Sequence, residues 1–186
     1  MSALSKRNCV LATIAAATAS VMLLGGSGIA AAGSSDATAS HPAAGSAALT
    51  DLQNHQPQSG KDLKAGPGTQ DANGVWQVDS TTPTLSNTVI DSDGDPTRLT
   101  FLVYTADANG KPRNQVKLTD PKTGETAFHG VLESDFVAAG STAKVTLYAG
   151  DLKANTTYVF RTSAFDGKLT EYEWSAWTKF KTPAAP

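Results

Sequence analysis

The most constraining feature of this sequence is the strict alternation of side chains over residues 157–165, which an Asp-Gly pair follows at once. Tyr158 and Phe160 fall on one side of the alternation, and Arg161 falls on the other. A period of two with aromatic and β-branched residues predicts a β-strand. An Asp-Gly pair favours a hairpin because both central residues of such a turn adopt positive φ. We therefore expect a second strand, at about 172–182, to pair with the first.

The residues that lead into this strand resemble the corner before strand F of fibronectin type III domains. The family pattern Leu-x-Pro-Gly-Thr-x-Tyr is represented by Leu152, Thr156 and Tyr158, with Ala154 and Asn155 in place of Pro and Gly. The resemblance implies a buried leucine and a tyrosine hydroxyl that bonds back to the backbone of the turn. The alternative is a chance Leu and Tyr pair of the kind found in any β protein.

The returning segment contains Trp174-Ser-Ala-Trp177-Thr, which is similar to the Trp-Ser-x-Trp-Ser motif on strand G of cytokine-receptor fibronectin domains. Two tryptophans at this spacing lie on opposite faces of a regular strand but share one face in a polyproline II segment. The resemblance implies a shared face with Arg161 between the rings, in a cation–π contact worth about 0.5–2 kcal/mol. The alternative is a buried Trp174 with Trp177 partly exposed. We interpret the motif as structural and not as evidence for a cytokine receptor.

The first residues predict export. A Lys-Arg pair precedes an apolar stretch over 9–24, and an Ala triplet that ends at Ala32 forms a small-residue cleavage site. This arrangement is typical of a secretory signal peptide, so we expect residues 1–32 to be removed and the protein to be secreted without stable membrane insertion. The single cysteine, Cys9, lies in the removed segment. A secreted chain without disulfides must be held together by its core alone.

Residues 33–74 are predicted to be a disordered linker. They are rich in Ala, Gly, Ser, Asp, Gln and Pro, and their large apolar residues are Leu49, Leu52 and Leu63. Such a segment buries too little apolar surface to offset the entropy lost on ordering. Without the two basic residues of the leader, 13 Lys and Arg face 17 Asp and Glu, which is a formal charge of −4. This mild acidity argues against nucleic acid as a partner.

From residue 75 the composition changes to short apolar runs separated by turns. Besides the hairpin, runs fall at 75–78, 85–90, 98–105, 115–119 and 143–149, with a short edge strand at 126–132. Seven short strands with turns about every 8 to 12 residues indicate an immunoglobulin-like sandwich. We therefore predict an all-β, fibronectin type III-like domain of about seven antiparallel strands over residues 75–182, with a tail at 183–186.

The expected core consists of the inward residues of these strands. They are Trp76, Leu85, Val89, Phe101, Val103, Leu118, Val145, Leu147, Leu152, Tyr158, Phe160 and Trp174. Strand B of the family usually carries a buried Trp, and here Asn87 or Val89 holds that position. Either Trp76 fills the space or the sandwich is an immunoglobulin-like variant.

One loop carries a ligand-like set of carboxylates at Asp91, Asp93 and Asp95. Alternate carboxylates can converge on Ca²⁺, which takes roughly six to eight oxygen ligands, although the spacing does not follow the EF-hand pattern. In this fold the B–C, D–E and F–G loops meet at one end, which would bring Asp166 and Glu171 nearby. A weak calcium site is one hypothesis, and the alternative is a solvated turn whose Asp side chains cap backbone amides.

Three aromatic residues, Tyr148, Tyr172 and Trp177, are expected to be partly exposed and are candidate binding residues. Exposed aromatics on a sandwich face can stack on sugars or pack against an apolar patch of a partner. The alternative is packing among neighbouring surface side chains. The histidines show no spacing that a triad or zinc site requires. We therefore predict no catalytic residue, and no cofactor apart from the calcium hypothesis.

Together these features predict a secreted, monomeric and non-enzymatic module that binds an extracellular protein or acts as a spacer. One alternative is a carbohydrate-binding or calcium-dependent adhesion module, in which the partner is a glycan. A second alternative is an inhibitor of an extracellular enzyme that projects acidic loops into the active site. The Ala and Gly richness of the leader suits a bacterial protein encoded by a high-GC genome.

Overall fold

The computed structural model describes residues 54–185, which form eleven β-strands in two packed sheets. In chain order the strands are β1 (Gln58–Ser59), β2 (Lys64–Gly66), β3 (Gly68–Gln70), β4 (Trp76–Val78), β5 (Thr84–Ile90), β6 (Arg98–Ala106), β7 (Pro112–Gln115), β8 (Leu132–Glu133), β9 (Thr142–Thr146), β10 (Thr157–Phe165) and β11 (Thr178–Lys181). A turn of 3-10 helix at Phe128–Gly130 lies between β7 and β8. The signal peptide predicted at 1–32 lies outside the described residues.

The two sheets have the arrangement of an immunoglobulin-like sandwich. In the first sheet, β5 pairs with β1 and β2 along one side and with β9 along the other. The second sheet has the order β3, β4, β11, β10, β6, and both β7 and β8 pair with β6. Within residues 54–185 the pairing of β4 with β11 is parallel and the other pairings are antiparallel. The predicted all-β fold class is confirmed, because one core is enclosed between two sheets of this order.

Most of the expected core lies between the sheets. Nine of the twelve residues are buried, namely Leu85, Val89, Phe101, Val103, Leu118, Leu147, Leu152, Tyr158 and Phe160. Trp76 and Val145 are partly buried and pack against the core. The placement of Trp174 in the core is wrong, because its ring lies against Arg161 on the outer face of the second sheet. Phe180 of β11 is buried in addition and stacks on Tyr158, with ring centroids 5.4 Å apart.

The corner before β10 contains the hydrogen bond that the fibronectin resemblance implies. The Tyr158 hydroxyl accepts a hydrogen bond of 2.8 Å from the backbone N–H of Lys153, and Leu152 is buried beside it. Asn155 has a φ of 46°, which places it in the left-handed region. Asn tolerates this region better than most residues with a side chain, so it replaces the family's Gly. Its N–H donates to the carbonyl of Pro183 at 2.6 Å, which ties the corner to the end of the domain.

The linker predicted for residues 33–74 is wrong from residue 58 onward, because β1, β2 and β3 belong to the sheets. Residues 33–53 lie outside the described part of the chain. The composition argument fails because this segment packs through its backbone and not through large side chains. A Cβ at Gly60 would lie 1.8 Å from the Thr88 hydroxyl, and one at Gly68 would lie 2.2 Å from the carbonyl oxygen of Gln77. Glycine therefore permits a close approach that apolar content does not predict.

Two other differences between expectation and structure lie in the second sheet. The run at 115–119 was expected to be a strand, but the strand is β7, which ends at Gln115; Leu118 lies beyond it and is buried as expected. β7 is an edge strand with one partner, so its alternation specifies its position weakly. The run at 172–182 contracts to β11, because residues 174–177 form an irregular segment.

The segment before β11 is irregular because Ser175 and two tryptophans hold it against β10. The Ser175 N–H donates to the Thr162 carbonyl at 2.9 Å, and its hydroxyl accepts from the Thr162 N–H at 2.8 Å. The Arg161 guanidinium lies 4.7 Å from the ring centroid of Trp174 and 4.6 Å from that of Trp177. The shared face that the cytokine-receptor resemblance implies is therefore present, and the alternative of a buried Trp174 is not.

Substitution Tyr158→Phe is expected to lower the free energy of unfolding by about 1–2 kcal/mol, because the Lys153 N–H loses its partner while the ring packing is kept. Urea denaturation measures this difference. Tyr104→Phe is the matched control, because Tyr104 makes a ring contact with Trp177 and no hydroxyl hydrogen bond among the described residues; this control is expected to stay within about 0.5 kcal/mol of the native protein. Equal stability of the two variants would contradict the structural role of the corner.

A double-mutant cycle between Arg161→Met and Trp177→Leu is expected to give a coupling free energy of about 0.5–2 kcal/mol, because the guanidinium and the indole stabilise each other. Chemical denaturation of the four proteins supplies the measurement. Arg113→Met on the exposed strand β7 provides a control in which coupling to Trp177→Leu should be absent. Additive effects of Arg161→Met and Trp177→Leu would show that the contact contributes nothing.

Candidate functional site: a groove beside the edge of β9

A groove of about 590 Å³ lies between β9 and the segment around β8. Its apolar lining includes Phe128, Leu132, Phe136 and Val145, and Lys144 lies on the β9 side. A volume of this size falls within the range of about 300–1,000 Å³ found for binding sites. The groove is therefore the candidate site with the best geometry.

Two phenylalanine rings border the groove and are exposed to solvent. Phe128 is 83% exposed and Phe136 is 46% exposed. Both rings line the same groove, and exposed apolar side chains that share one surface mark an interaction site more often than single exposed ones do. We expected a short edge strand at 126–132, but Phe128 lies in a turn of 3-10 helix. We identified neither ring from the sequence, in which both stand as single aromatics among small and polar residues.

The backbone on either side of β8 places these rings. His129 has a φ of 55° and Gly130 a φ of 69°, so the chain reverses directly after Phe128 and directs it away from the core. A Cβ at Gly130 would lie 3.1 Å from the Cα of Lys117, which explains why glycine occupies this turn. The Phe128 ring also contacts the His129 ring, with centroids 3.9 Å apart.

Phe136 is held by a second cation–π arrangement. The Arg98 guanidinium lies 5.4 Å from the ring centroid of Phe136 and 5.0 Å from that of Phe165. The same guanidinium forms an ion pair of 2.8 Å with Glu133. Ser134 ties the segment to β6, because its hydroxyl accepts the Leu99 N–H at 3.0 Å. The wall of the groove that carries Phe136 is therefore rigidly braced before any ligand binds.

The rim of the groove carries charges of both signs. Lys122 and Asp135 approach each other to 3.8 Å and are highly exposed, so their interaction is weak. Lys144 is exposed on β9, and within residues 54–185 no acidic oxygen lies within 4.0 Å of its amine. A mixed polar rim around exposed aromatic rings resembles the composition of protein–protein interfaces.

The carboxylates that were candidates for calcium accept hydrogen bonds from within the domain. Asp91 accepts hydrogen bonds from the N–H groups of Asp93 and Asp95 at 2.9 and 3.2 Å. Asp93 accepts from the N–H of His55 at 2.6 Å and contacts its ring nitrogen Nδ1 at 2.7 Å. In the part of the chain that the structure describes, no group of three His, Cys, Asp or Glu residues is arranged to hold a metal ion. The contacts of Asp91 are those expected for a turn in which Asp side chains cap backbone amides, and the calcium hypothesis stays a prediction.

The other two candidate ligands, Asp166 and Glu171, bind the N-terminal segment of the domain. The Asn54 amide donates to Asp166 at 2.7 Å. Glu171 accepts the Ser59 N–H at 3.0 Å and the Ser59 hydroxyl at 2.7 Å. The loops at this end therefore use their carboxylates to hold residues 54–59 in place.

Hydrogen bonds to these loops shift two carboxyl groups towards the ionised form. The pKa of Asp93 is lowered, chiefly by the hydrogen bond from the His55 backbone. Burial of Asp166 raises its pKa, but the hydrogen bonds from the Leu169 and Lys168 amides and from Asn54 outweigh burial, so that the pKa of Asp166 is lowered overall. Both shifts stabilise the folded state where the carboxyl groups are ionised.

The three aromatic candidates do not form one surface. Tyr148 is 41% exposed and lies in the turn before the Tyr158 corner, whereas Tyr172 is 87% exposed and lies beyond the opposite end of β10. Trp177 is half-buried between Arg161 and Tyr104. A second groove of about 410 Å³ runs beside Tyr172, and its other walls are mostly polar side chains.

Comparisons with known proteins give a distant structural likeness. No protein-family model matches the chain, and no curated protein matches it. Among solved structures, it is similar to the PKD domain of an M14-like peptidase from a Thermoplasmatales archaeon, with 17% identity and a TM-score of 0.33. That similarity covers 70% of this chain and 99% of the other. The fold assignment therefore rests on the strand topology itself.

A search of residues 54–185 for membrane-spanning segments finds no helix with the length and apolar character needed to cross a bilayer.

Substitution Asp166→Asn is expected to destabilise the domain at pH 7 by about 1–2 kcal/mol. The new side chain has no charge and one acceptor oxygen instead of two, so its NH2 group faces the NH2 group of Asn54, which donates to Asp166 in the native protein. The pKa of Asp166 is lower in the folded state, so its contribution is present above the unfolded pKa of about 3.9 and is lost as the pH falls through the folded pKa. The difference between the native protein and this variant should therefore shrink below about pH 4.

Thermal unfolding from pH 7 to pH 3 measures this difference. Asp135→Asn is the control, because Asp135 is highly exposed and its contact with Lys122 is weak. A difference between native protein and Asp166→Asn that stays constant over the whole range would contradict the assigned role.

Proposed function

We propose that this chain is a secreted, non-enzymatic module that binds a partner protein through the groove beside β9. The observation that carries the proposal is the pair of exposed rings, Phe128 and Phe136, on a concave surface with a charged rim. Export is supported by the predicted signal peptide at 1–32.

The lining of the groove favours a protein over a sugar. Sugar sites combine an aromatic face with several convergent polar groups that are free to bind hydroxyls. Here two of the polar groups that line the groove are occupied within the domain: Ser134 binds Leu99 and Glu133 binds Arg98. Phenylalanine also has no polar atom of its own. Apolar rings that are braced in advance suit the hot spot of a protein interface.

A spacer role is the second candidate, and the positions of the domain ends favour it. Asn54 and His55 are held by the loops that contain Asp166 and Asp93, and Pro183 is held at the Tyr158 corner. These contacts lie at opposite ends of β10, which has nine residues and spans about 30 Å. A domain with its ends so placed can separate two neighbouring parts of a longer chain, and this role is compatible with binding at the groove.

Capture from culture supernatant tests the proposed function. The purified full chain carries a photoactivatable crosslinker, and captured proteins are compared between the native chain and Phe128→Ser. Loss of an exposed hot-spot ring is expected to reduce capture of a specific partner by about 10-fold or more. Phe128 is 83% exposed, so the substitution should leave the melting temperature unchanged.

Tyr172→Ser is the matched control, because this ring is equally exposed but lies outside the groove. Partner capture should be kept in that variant. A glycan array probed with the same three proteins tests the carbohydrate alternative. Capture that survives Phe128→Ser, or a glycan response that depends on Tyr172, would contradict binding at the groove.

A further inference from the structure

We propose that the groove holds an extended segment of the partner protein, which pairs with β9 as an additional strand. The inference rests on the proposed function and specifies how the partner is recognised. Its chemistry is that of a peptide with alternating apolar residues and an acidic residue opposite Lys144. The geometry of β9 supports each of these features in turn.

β9 has one paired side and one open side. Its only strand partner within residues 54–185 is β5, which lies between it and the strands β1 and β2. The groove runs along the opposite side, past residues 144–146, with β8 beyond it. The position next to β9 in the first sheet is therefore free, and a strand placed there would lie over the space between the two sheets.

The hydrogen bonds to β5 determine which backbone groups face the open side. The Leu147 N–H donates to the Pro83 carbonyl at 3.0 Å, and the Val89 N–H donates to the Ser141 carbonyl at 3.0 Å. Val145 lies opposite Leu85 in the same register. Hydrogen-bonded pairs alternate along an antiparallel ladder, so the odd-numbered residues of β9 bond to β5.

The even-numbered residues, Thr142, Lys144 and Thr146, therefore direct their N–H and carbonyl groups away from β5, and Lys144 and Thr146 line the groove. Such residues recur every two positions, about 7 Å along a strand. Alternating donors and acceptors at this spacing match the main chain of an extended peptide, and this is the basis of recognition by strand addition. Neither a sugar nor a lipid presents that pattern.

The side chains next to the open side indicate what such a peptide would carry. Val145 points inward and is only partly buried, and Leu132 and Phe136 lie across the groove. Apolar residues on the inner face of an added strand would cover these groups. Alternate residues would face outward with Lys144 and, because opposite charges on adjacent strands attract, an acidic residue is favoured there.

Lys144 also disfavours a second copy of this chain as the strand that pairs with β9. On the outer face, Lys144 lies opposite Ser86, and Ser86 lies opposite Lys64, so the row contains two positive charges and no acid. Two β9 strands that pair symmetrically through Lys144 would place like charges opposite each other, and a shifted register would offer only threonine. An edge lysine of this kind discourages self-association while leaving the backbone open to an acidic peptide.

The test uses short random peptides displayed on phage and selected on the purified full chain. Selected peptides are synthesised, and their affinities for the native chain, Lys144→Pro and Lys144→Ala are measured by fluorescence anisotropy. Proline removes the N–H that faces the groove and no bond to β5, a position at which edge strands tolerate it. We expect an alternating apolar pattern with an acidic residue, and a loss of about 10-fold or more for Lys144→Pro.

Lys144→Ala keeps the N–H and removes only the charge, so its loss should be smaller. Amide hydrogen exchange on the native chain supplies a readout that needs no variant. The Lys144 and Thr146 amides should become protected when a selected peptide binds, whereas the Ala143 and Val145 amides are already protected by β5. Melting temperatures establish that both variants are folded.

Three results would overturn strand addition: no peptide is selected, Lys144→Pro binds as well as the native chain, or the Lys144 amide stays unprotected in the complex. Protection of this amide without peptide, together with a dimer in sedimentation, would assign the edge to a second copy instead. If the captured partner is lost in Phe128→Ser but kept in Lys144→Pro, the groove binds protein by another mode. The proposed function would then stand without this inference.

Discussion

A hydrogen-bonded chain through the interior holds the two sheets, the N-terminal segment and the last loop together. The buried amide of Asn87 on β5 donates to the Thr162 hydroxyl on β10 at 2.9 Å, and that hydroxyl contacts Ser59 at 3.0 Å. Ser59 in turn binds Glu171 at 2.7 Å. Buried polar groups must find partners, so removal of one member leaves the next one unsatisfied. This network explains why the N-terminal strands are integral to the domain although they contain few large apolar residues.

Two regions of the surface differ in this respect: the loop end of the sandwich and the free edge of β9. At the loop end, the carboxylates of Asp93, Asp166 and Glu171 are already bound to residues 54–59. At the side of the sandwich, β9 has one edge without a strand partner among the described residues, and this edge borders the groove that Phe128 and Phe136 line. The candidate chemistry of the domain is therefore backbone and apolar recognition at an edge, and the acidic loops serve to hold the domain together.

Local patterns and long-range contacts differed in how well they could be predicted. The strand at Thr157–Phe165 and the Tyr158 corner lie within short stretches whose residues contact one another, so the sequence contains the whole pattern. Phe128 and Phe136 could not be identified as a site, since they come together with β9 only through the pairing of β8 with β6. The hydrogen-bond partners of Asp166 and Glu171 could not be predicted for a related reason: these partners, Asn54 and Ser59, lie about a hundred residues earlier in the chain.

The sequence by itself determined the fold class, because alternation with period two and turn residues act over a few neighbouring positions. The contact of Arg161 with two tryptophans was implied by the resemblance to cytokine-receptor fibronectin domains, because the residues alone left a buried Trp174 open as the alternative. Only the tertiary structure decided where the domain begins, which carboxylates are free and which strand edge is open. Those properties depend on which distant segments pair, and pairing is selected by the packing of the whole molecule.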